Sequence, residues 1–269
     1  MRLGTIAGMT STWRSPGLRG KILYAFLASL LSAVVTTFSR LHVTHQRGRS
    51  GAVAALPEGK VIVVANHTSF ADGILLALAC RRLGRSLRLL GTAGVFAAPI
   101  VGPLLRRLGF IPVQRGSATA AESLTLAAAA LQAGEAVGIF PEGRITRDPA
   151  FWPERGKTGA VRLAAMTGAP IVPVAIMGAH RLLDRKGNGW RLLKAFVLTP
   201  EVQVLVGEPI GVAPLVRDVD DEASIRAATD LMMARLTTAL EQLRGEDSPV
   251  REAGVAEPHP LVSDRSHSA

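Results

Sequence analysis

Residues 60–72 read Lys60-Val61-Ile62-Val63-Val64-Ala65-Asn66-His67-Thr68-Ser69-Phe70-Ala71-Asp72. The first part is a short β-branched run that reads as a strand. The polar cluster ends it, and residues 72–84 (DGILLALACRRLG) read as a helix with Gly84 as its stop. Outward from this unit the pattern repeats. Residues 85–91 read as a strand, and residues 95–108 as a helix broken or kinked by Pro99 and Pro103. FIPVQR (110–115) reads as a strand at a sheet edge, because Pro112 cannot donate to a ladder. Residues 119–133 predict a helix, with Thr119 and Glu122 at capping-box spacing. EAVGIF (135–140), PIVPVAIM (170–177) and EVQVLVGEPI (201–210) read as strands. Residues 157–168 and 221–243 read as helices, the second with Asp221 and Glu222 at its start. Such alternation predicts an α/β fold, a mixed central sheet flanked by helices.

Composition limits the functional classes. Of the 269 residues, 48% are apolar and 19% charged, which excludes a disordered chain and falls below the average soluble domain's charge. The net charge of +10 attracts anionic partners. With 4% aromatic residues and no zinc or RNA-binding signature, no nucleic-acid partner is expected. The single cysteine, Cys80, reads as a small core residue and permits no intrachain disulfide.

No charge interrupts residues 22–38, and basic residues flank the run on both sides. As a helix it is about 26 Å long, against about 30 Å for a hydrocarbon core. Four readings compete: signal peptide, single span, buried core helix, and a helix lying in one leaflet. Ala25, Ser29, Ser32 and Thr36 form a small and polar stripe suited to face the protein. Membrane anchoring, in-plane or spanning, is the favoured reading. The expected organisation is an anchoring segment over 1–50, a domain over 51–243 and a disordered tail over 244–269.

Three stretches carry chemistry. Asn66 to Asp72 follows the strand end, where α/β folds place functional residues. A histidine can take a proton near neutral pH, and a carboxylate on its other ring nitrogen fixes the tautomer. Five helical residues turn the chain by about 500°, so His67 and Asp72 meet only across a non-helical corner over 68–71. Thr68 and Ser69 are expected to cap the following helix. The second stretch is Phe140-Pro141-Glu142-Gly143-Arg144-Ile145-Thr146-Arg147. Gly143 permits a close approach, Arg144 and Arg147 offer forks suited to phosphate, and Thr146 adds a hydroxyl. The third is Gly109–Gly116, with Arg115 leaving a strand end. Gly156-Lys157-Thr158 ends like a P-loop, but the required first glycine would fall at Phe151, so that motif is rejected.

NHTSFAD (66–72), GFIPVQR (109–115), FPEGRITR (140–147) and IVPVAI (171–176) together resemble, in kind, order and spacing, the four blocks of the glycerolipid acyltransferases, specifically the lysophosphatidic acid type. The resemblance covers about residues 55–215. It implies that His67 is a general base with Asp72 its partner. It implies that Arg115, Glu142, Gly143 and Arg144 surround an acceptor phosphate; Asn66, Thr146 and Arg147 are grouped with them as substrate-binding residues. It further implies a lysophospholipid acceptor, an acyl-CoA or acyl-carrier-protein co-substrate, no metal and no other cofactor. The expected setting is a cell membrane, with the catalytic domain cytoplasmic. Alternatives are another lyso-lipid acceptor, or a non-catalytic membrane-binding relative. Many members carry a Lys near Thr92, a Glu near Gly94, and Thr-Arg after Gly143; this chain has Arg144-Ile145 there.

Overall fold

The β-branched run forms a strand at the centre of the sheet. In the computed structural model, which describes residues 13–46, 56–113, 117–183, 198–212, 214–216 and 218–249, seven strands form one sheet. They are β1 (Arg40–His45), β2 (Val61–Ala65), β3 (Leu87–Thr92), β4 (Ile111–Val113), β5 (Ala136–Ile139), β6 (Ile171–Met177) and β7 (Glu201–Val206). Their spatial order is β1-β7-β6-β2-β5-β3-β4. The central strands β6, β2, β5, β3 and β4 are mutually parallel. β7 runs antiparallel to β6, and β1 runs parallel to β7. β4, with Pro112, is an edge strand, as its missing N–H requires.

Every residue of β2 is buried, and its side chains divide by parity. Val61, Val63 and Ala65 enter one apolar core with Leu75 and Leu76 of α2 (Asp72–Arg82). Ala28, Leu31, Val35 and Phe38 of α1 (Gly17–Phe38) pack against the same core. Ile62 and Val64 enter the opposite core with α5 (Ser117–Gln132), α6 (Gly159–Thr167) and α8 (Glu222–Arg244). Two short helices, α3 (Ala93–Ala97) and α4 (Val101–Arg107), divide where Pro99 falls. A single turn, α7 (Ala179–Leu182), follows β6. Fully buried Ile225, Met232, Leu236 and Leu240 bind α8 down, each contributing about 1.5–3 kcal/mol of apolar burial. Asp221 caps α8 by accepting from the amides of Ala223 and Ser224.

Several expectations change. α1 starts at Gly17, five residues ahead of the uncharged run. β1 lies inside the stretch 1–50 set apart as an anchor, so the sheet begins at Arg40. α5 starts at Ser117, which places Thr119 within the first turn rather than at a cap. β7 stops at Val206, and Ile210 makes only an isolated bridge to Ile171. The Ser29–Ser32–Thr36 stripe does not face the core; those residues border an open groove of about 390 Å³ beside Leu78, Arg81 and Arg82. Ser29 and Thr36 return their hydroxyls to α1's own carbonyls. Leu18, Ile22, Phe26, Leu30 and Val34 are exposed at four-residue intervals along the helix. Cys80 is buried, and burial pushes its thiol up to about 12. Of the expected tail, residues 250–269 lie outside the described residues.

Candidate functional site

Two adjacent parallel strands bring the motifs together. Register pairs Val64 of β2 with Ile139 of β5. Three residues beyond each, His67 and Glu142 therefore leave the same sheet edge side by side. The Glu142 carboxylate stitches the loops: Oε1 accepts from the His67 amide at 3.0 Å, and Oε2 from the Glu154 amide at 3.1 Å. The Thr146 amide donates to the His67 carbonyl at 2.7 Å.

The corner between His67 and α2 is non-helical, and the carboxylate of Asp72 shapes it. Its Oδ2 accepts from the amides of Thr68 at 2.6 Å and Ser69 at 2.7 Å, and lies 3.0 Å from His67 Nδ1. Thr68 and Ser69 thus do not cap α2 as expected; Ala71 occupies the cap position, and the two amides bind Asp72 instead. An oxygen that already accepts two N–H groups accepts a third from Nδ1, so the lone pair of the neutral ring resides on Nε2. Asp72 is fully buried, and burial raises its carboxyl above the ordinary range against the pull of His67 and the two amides. The imidazole keeps a side-chain exposure of 19% and stacks on Phe140, centroids 4.2 Å apart. A protected anchoring oxygen behind the ring and an open nitrogen in front is the arrangement a general base requires.

The loop after β5 is held from several sides. Thr146 Oγ1 donates to the Trp152 carbonyl at 2.9 Å, and Asp148 accepts from the amides of Ala150 and Trp152. Arg244, at the end of α8, lies over the Trp152 ring at 4.0 Å and bonds the carbonyls of Ala150 and Phe151. Arg226 bonds the Gly156 carbonyl at 2.8 Å. Arg144 makes a two-pronged pair with Glu154 at 2.9–3.2 Å, and the Arg147 amide donates to the same carboxylate. That guanidinium holds the Glu154 carboxyl below its usual range. Burial pushes Glu142 the other way, up to about 7.

Residues 43–177 match the family whose description is Acyltransferase. The chain belongs to that family. It is 29% identical over 150 residues to a chloroplastic 1-acyl-sn-glycerol-3-phosphate acyltransferase of Brassica napus, covering 55% of this chain but 40% of that protein. A 1-acyl-sn-glycerol-3-phosphate acyltransferase of Bacillus subtilis is 25% identical over 226 residues, covering 82% of this chain and all of that one. An uncharacterised Mycobacterium tuberculosis protein is 32% identical over 173 residues, 59% of this chain and 45% of its own length. The chain thus spans less than half the length of several curated relatives. The fold matches the crystal structure of the 1-acyl-sn-glycerophosphate (LPA) acyltransferase PlsC from Thermotoga maritima, with a TM-score of 0.59, 21% identity and coverage of 89% and 87% of the two chains.

In this acyltransferase-family chain the residues grouped as substrate-binding separate into two kinds. Asn66, Glu142 and Thr146 are buried and spend their polar atoms on the protein. Asn66 spans from β2 to β6, donating to the Ile176 carbonyl at 2.9 Å and accepting its amide at 2.8 Å. These three fasten the loops to one another and to the sheet. Gly143, Arg144 and Arg147 remain on the open side, with Gly143 at φ +70°. Arg115 lies outside the described residues; β4, which ends at Val113, is two places from β5. Trp152, Glu154 and the stacking of Phe140 on His67 were not anticipated. Only Glu154 had a signal, an acid close in sequence to two arginines. Among the described residues no cluster of three or more His, Cys, Asp or Glu is placed to hold a metal.

Proposed function

We propose that this chain transfers a fatty acyl group from a thioester, acyl-CoA or acyl-carrier protein, to the free hydroxyl of 1-acylglycerol-3-phosphate. The observation that carries it is the 3.0 Å contact between His67 Nδ1 and an Asp72 oxygen already fixed by two amides. His67 Nε2 takes the hydroxyl proton as the oxygen attacks the thioester carbonyl. The ester C–O bond forms, the C–S bond breaks, and the departing thiolate takes the proton back from the imidazolium. Asp72 stabilises the ring's transient charge. The step requires no cofactor beyond the thioester. Arg144, Arg147 and Arg115 are assigned to the acceptor phosphate, turning a bimolecular encounter into a positioned one.

The setting is a membrane surface. α1 is long and apolar enough to cross a bilayer, and its exposed apolar stripe equally suits a helix lying in one leaflet. The catalytic domain is assigned to the cytoplasmic side, where both thioesters are found. A second reading, another lyso-lipid acceptor, is favoured by Thr92 and Gly94 and by Arg144's commitment to Glu154.

The test is product analysis with purified protein, labelled acyl-CoA and a panel of lyso-lipids. Phosphatidic acid from lysophosphatidic acid, lost in His67→Ala while the fold persists, is the expected result. Efficient acylation of only a phosphate-free acceptor would replace the proposal by the second reading.

A further inference from the structure

The loop beside His67 spends its carboxylates on backbone amides and Arg144, while the side chains of Arg147, Arg155 and Lys157 make no ion pair or hydrogen bond among the described residues. Glu142 is spent on two amides, and Glu154 on Arg144 and the Arg147 amide. Lys157, which ends this loop just ahead of α6, is exposed, and its ammonium has no ion pair or hydrogen bond among the described residues. Its position is nonetheless defined. The Lys157 amide donates to the Pro141 carbonyl at 2.8 Å, which ties its backbone to the start of the loop. The side chain lies across Gly143: a β-carbon at that glycine would fall 2.9 Å from both Cε and Nζ. Gly143 is in the left-handed region, which favours a residue without a side chain. The ammonium therefore lies against the glycine that follows Glu142, whose carboxylate holds the His67 amide.

An exposed ammonium without a protein partner, lying across the glycine that follows Glu142, points to an anion brought from outside. We propose that Lys157 binds a phosphate group of the substrate during the reaction. This rests on the acyl-transfer reading and adds to it a phosphate ligand that none of the four sequence blocks contains. The phosphate can come from the acceptor, as a monoester close to the attacking hydroxyl, or from the donor, as the phosphates of CoA.

The experiment compares wild type, Lys157→Met and Lys157→Arg. Initial rates are measured against lysophosphatidic acid at saturating acyl-CoA, and against acyl-CoA at saturating acceptor. In parallel, equilibrium binding of lysophosphatidic acid, of its phosphate-free counterpart monoacylglycerol, and of CoA is measured in detergent micelles. Loss of one charged hydrogen bond corresponds to about a tenfold to hundredfold rise in KM for the phosphate-bearing partner, with kcat nearly unchanged. Arginine restores it, monoacylglycerol binding does not change, and thermal unfolding stays at the wild-type temperature. A rise confined to lysophosphatidic acid assigns the acceptor's phosphate; one confined to acyl-CoA assigns the donor's. Equal KM values in Lys157→Met and wild type for both substrates overturn the proposal. If the wild type forms no product, the functional reading fails. The binding series then still decides the lysine: equal affinities of wild type and Lys157→Met for lysophosphatidic acid and CoA reject it.

Discussion

Asp72→Asn separates charge from geometry at this site. In the wild type a single oxygen, Oδ2, receives the amides of Thr68 and Ser69 and the ring nitrogen of His67, while Oδ1 has only a 3.5 Å contact with the Thr68 hydroxyl. Asparagine must keep its one oxygen at the Oδ2 position, because two buried amides need an acceptor. Its NH2 group then faces the Thr68 hydroxyl, which can accept. His67 consequently retains its tautomer and orientation and loses only the negative charge behind it. Opposite charges about 4 Å apart interact by about 4 kcal/mol at an effective dielectric near 20. At 1.36 kcal/mol per decade that is about a thousandfold in kcat. Stability should change by no more than about 1–2 kcal/mol, since weaker acceptor bonds are offset by relief of a buried charge. Asp72→Ala instead orphans both amides and should cost about 2–6 kcal/mol. Initial rates with labelled acyl-CoA, read with thermal unfolding of the same samples, give both quantities. An Asp72→Asn enzyme within tenfold of wild type would refute the electrostatic role of this carboxylate.

Glu142 titrates near 7 in the folded chain because it is buried, against an ordinary value of 4.5. The folded state therefore holds the proton more tightly, and stability contributed by this group falls as pH rises from about 4.5 to 7. Glu142→Gln should remove that part of the slope and, by turning an NH2 toward the Glu154 amide, lower stability by about 1–3 kcal/mol; identical pH profiles of unfolding temperature would contradict it. Asn66→Ala leaves both polar groups of Ile176 unpaired at the sheet centre and should cost about 2–6 kcal/mol, while KM for the acceptor in the remaining folded fraction stays unchanged. A raised KM there would return Asn66 to the substrate. Ile22→Asp with Phe26→Asp alters side chains that are 60% and 64% exposed, so the fold should persist while co-sedimentation with phospholipid vesicles drops at least about tenfold. Undiminished sedimentation would place the lipid contact elsewhere.

The central strands were legible because a β-branched run between turn residues has few other fates, and the edge position of β4 followed from one proline. The His67–Asp72 pair was legible in type and spacing, and its corner could be deduced from helical rotation alone. β1 was hidden because RLHVTH follows an apolar helix without a break, and its partner β7 lies far along the chain. The work of Asn66, Glu142 and Thr146 was hidden for a related reason. A polar residue beside a histidine looks the same whether its atoms face a substrate or a distant carbonyl, and only the register of β2 against β5 and β6 distinguishes them. Lys157 was read as the start of a helix beside the Phe140–Arg147 stretch, since nothing local shows a side chain crossing a glycine in the preceding turn.

Arg244 and Arg226 grip the carbonyls of the Phe140–Lys157 loop from the last helix of the described chain. During synthesis the apolar outer face of α1 leaves the ribosome before these two guanidinium groups do. With the proposed lipid contact on α1, a nascent chain would settle on the membrane well before the Phe140–Lys157 loop is braced, and a ribosome stalled ahead of α8 would leave that loop slack.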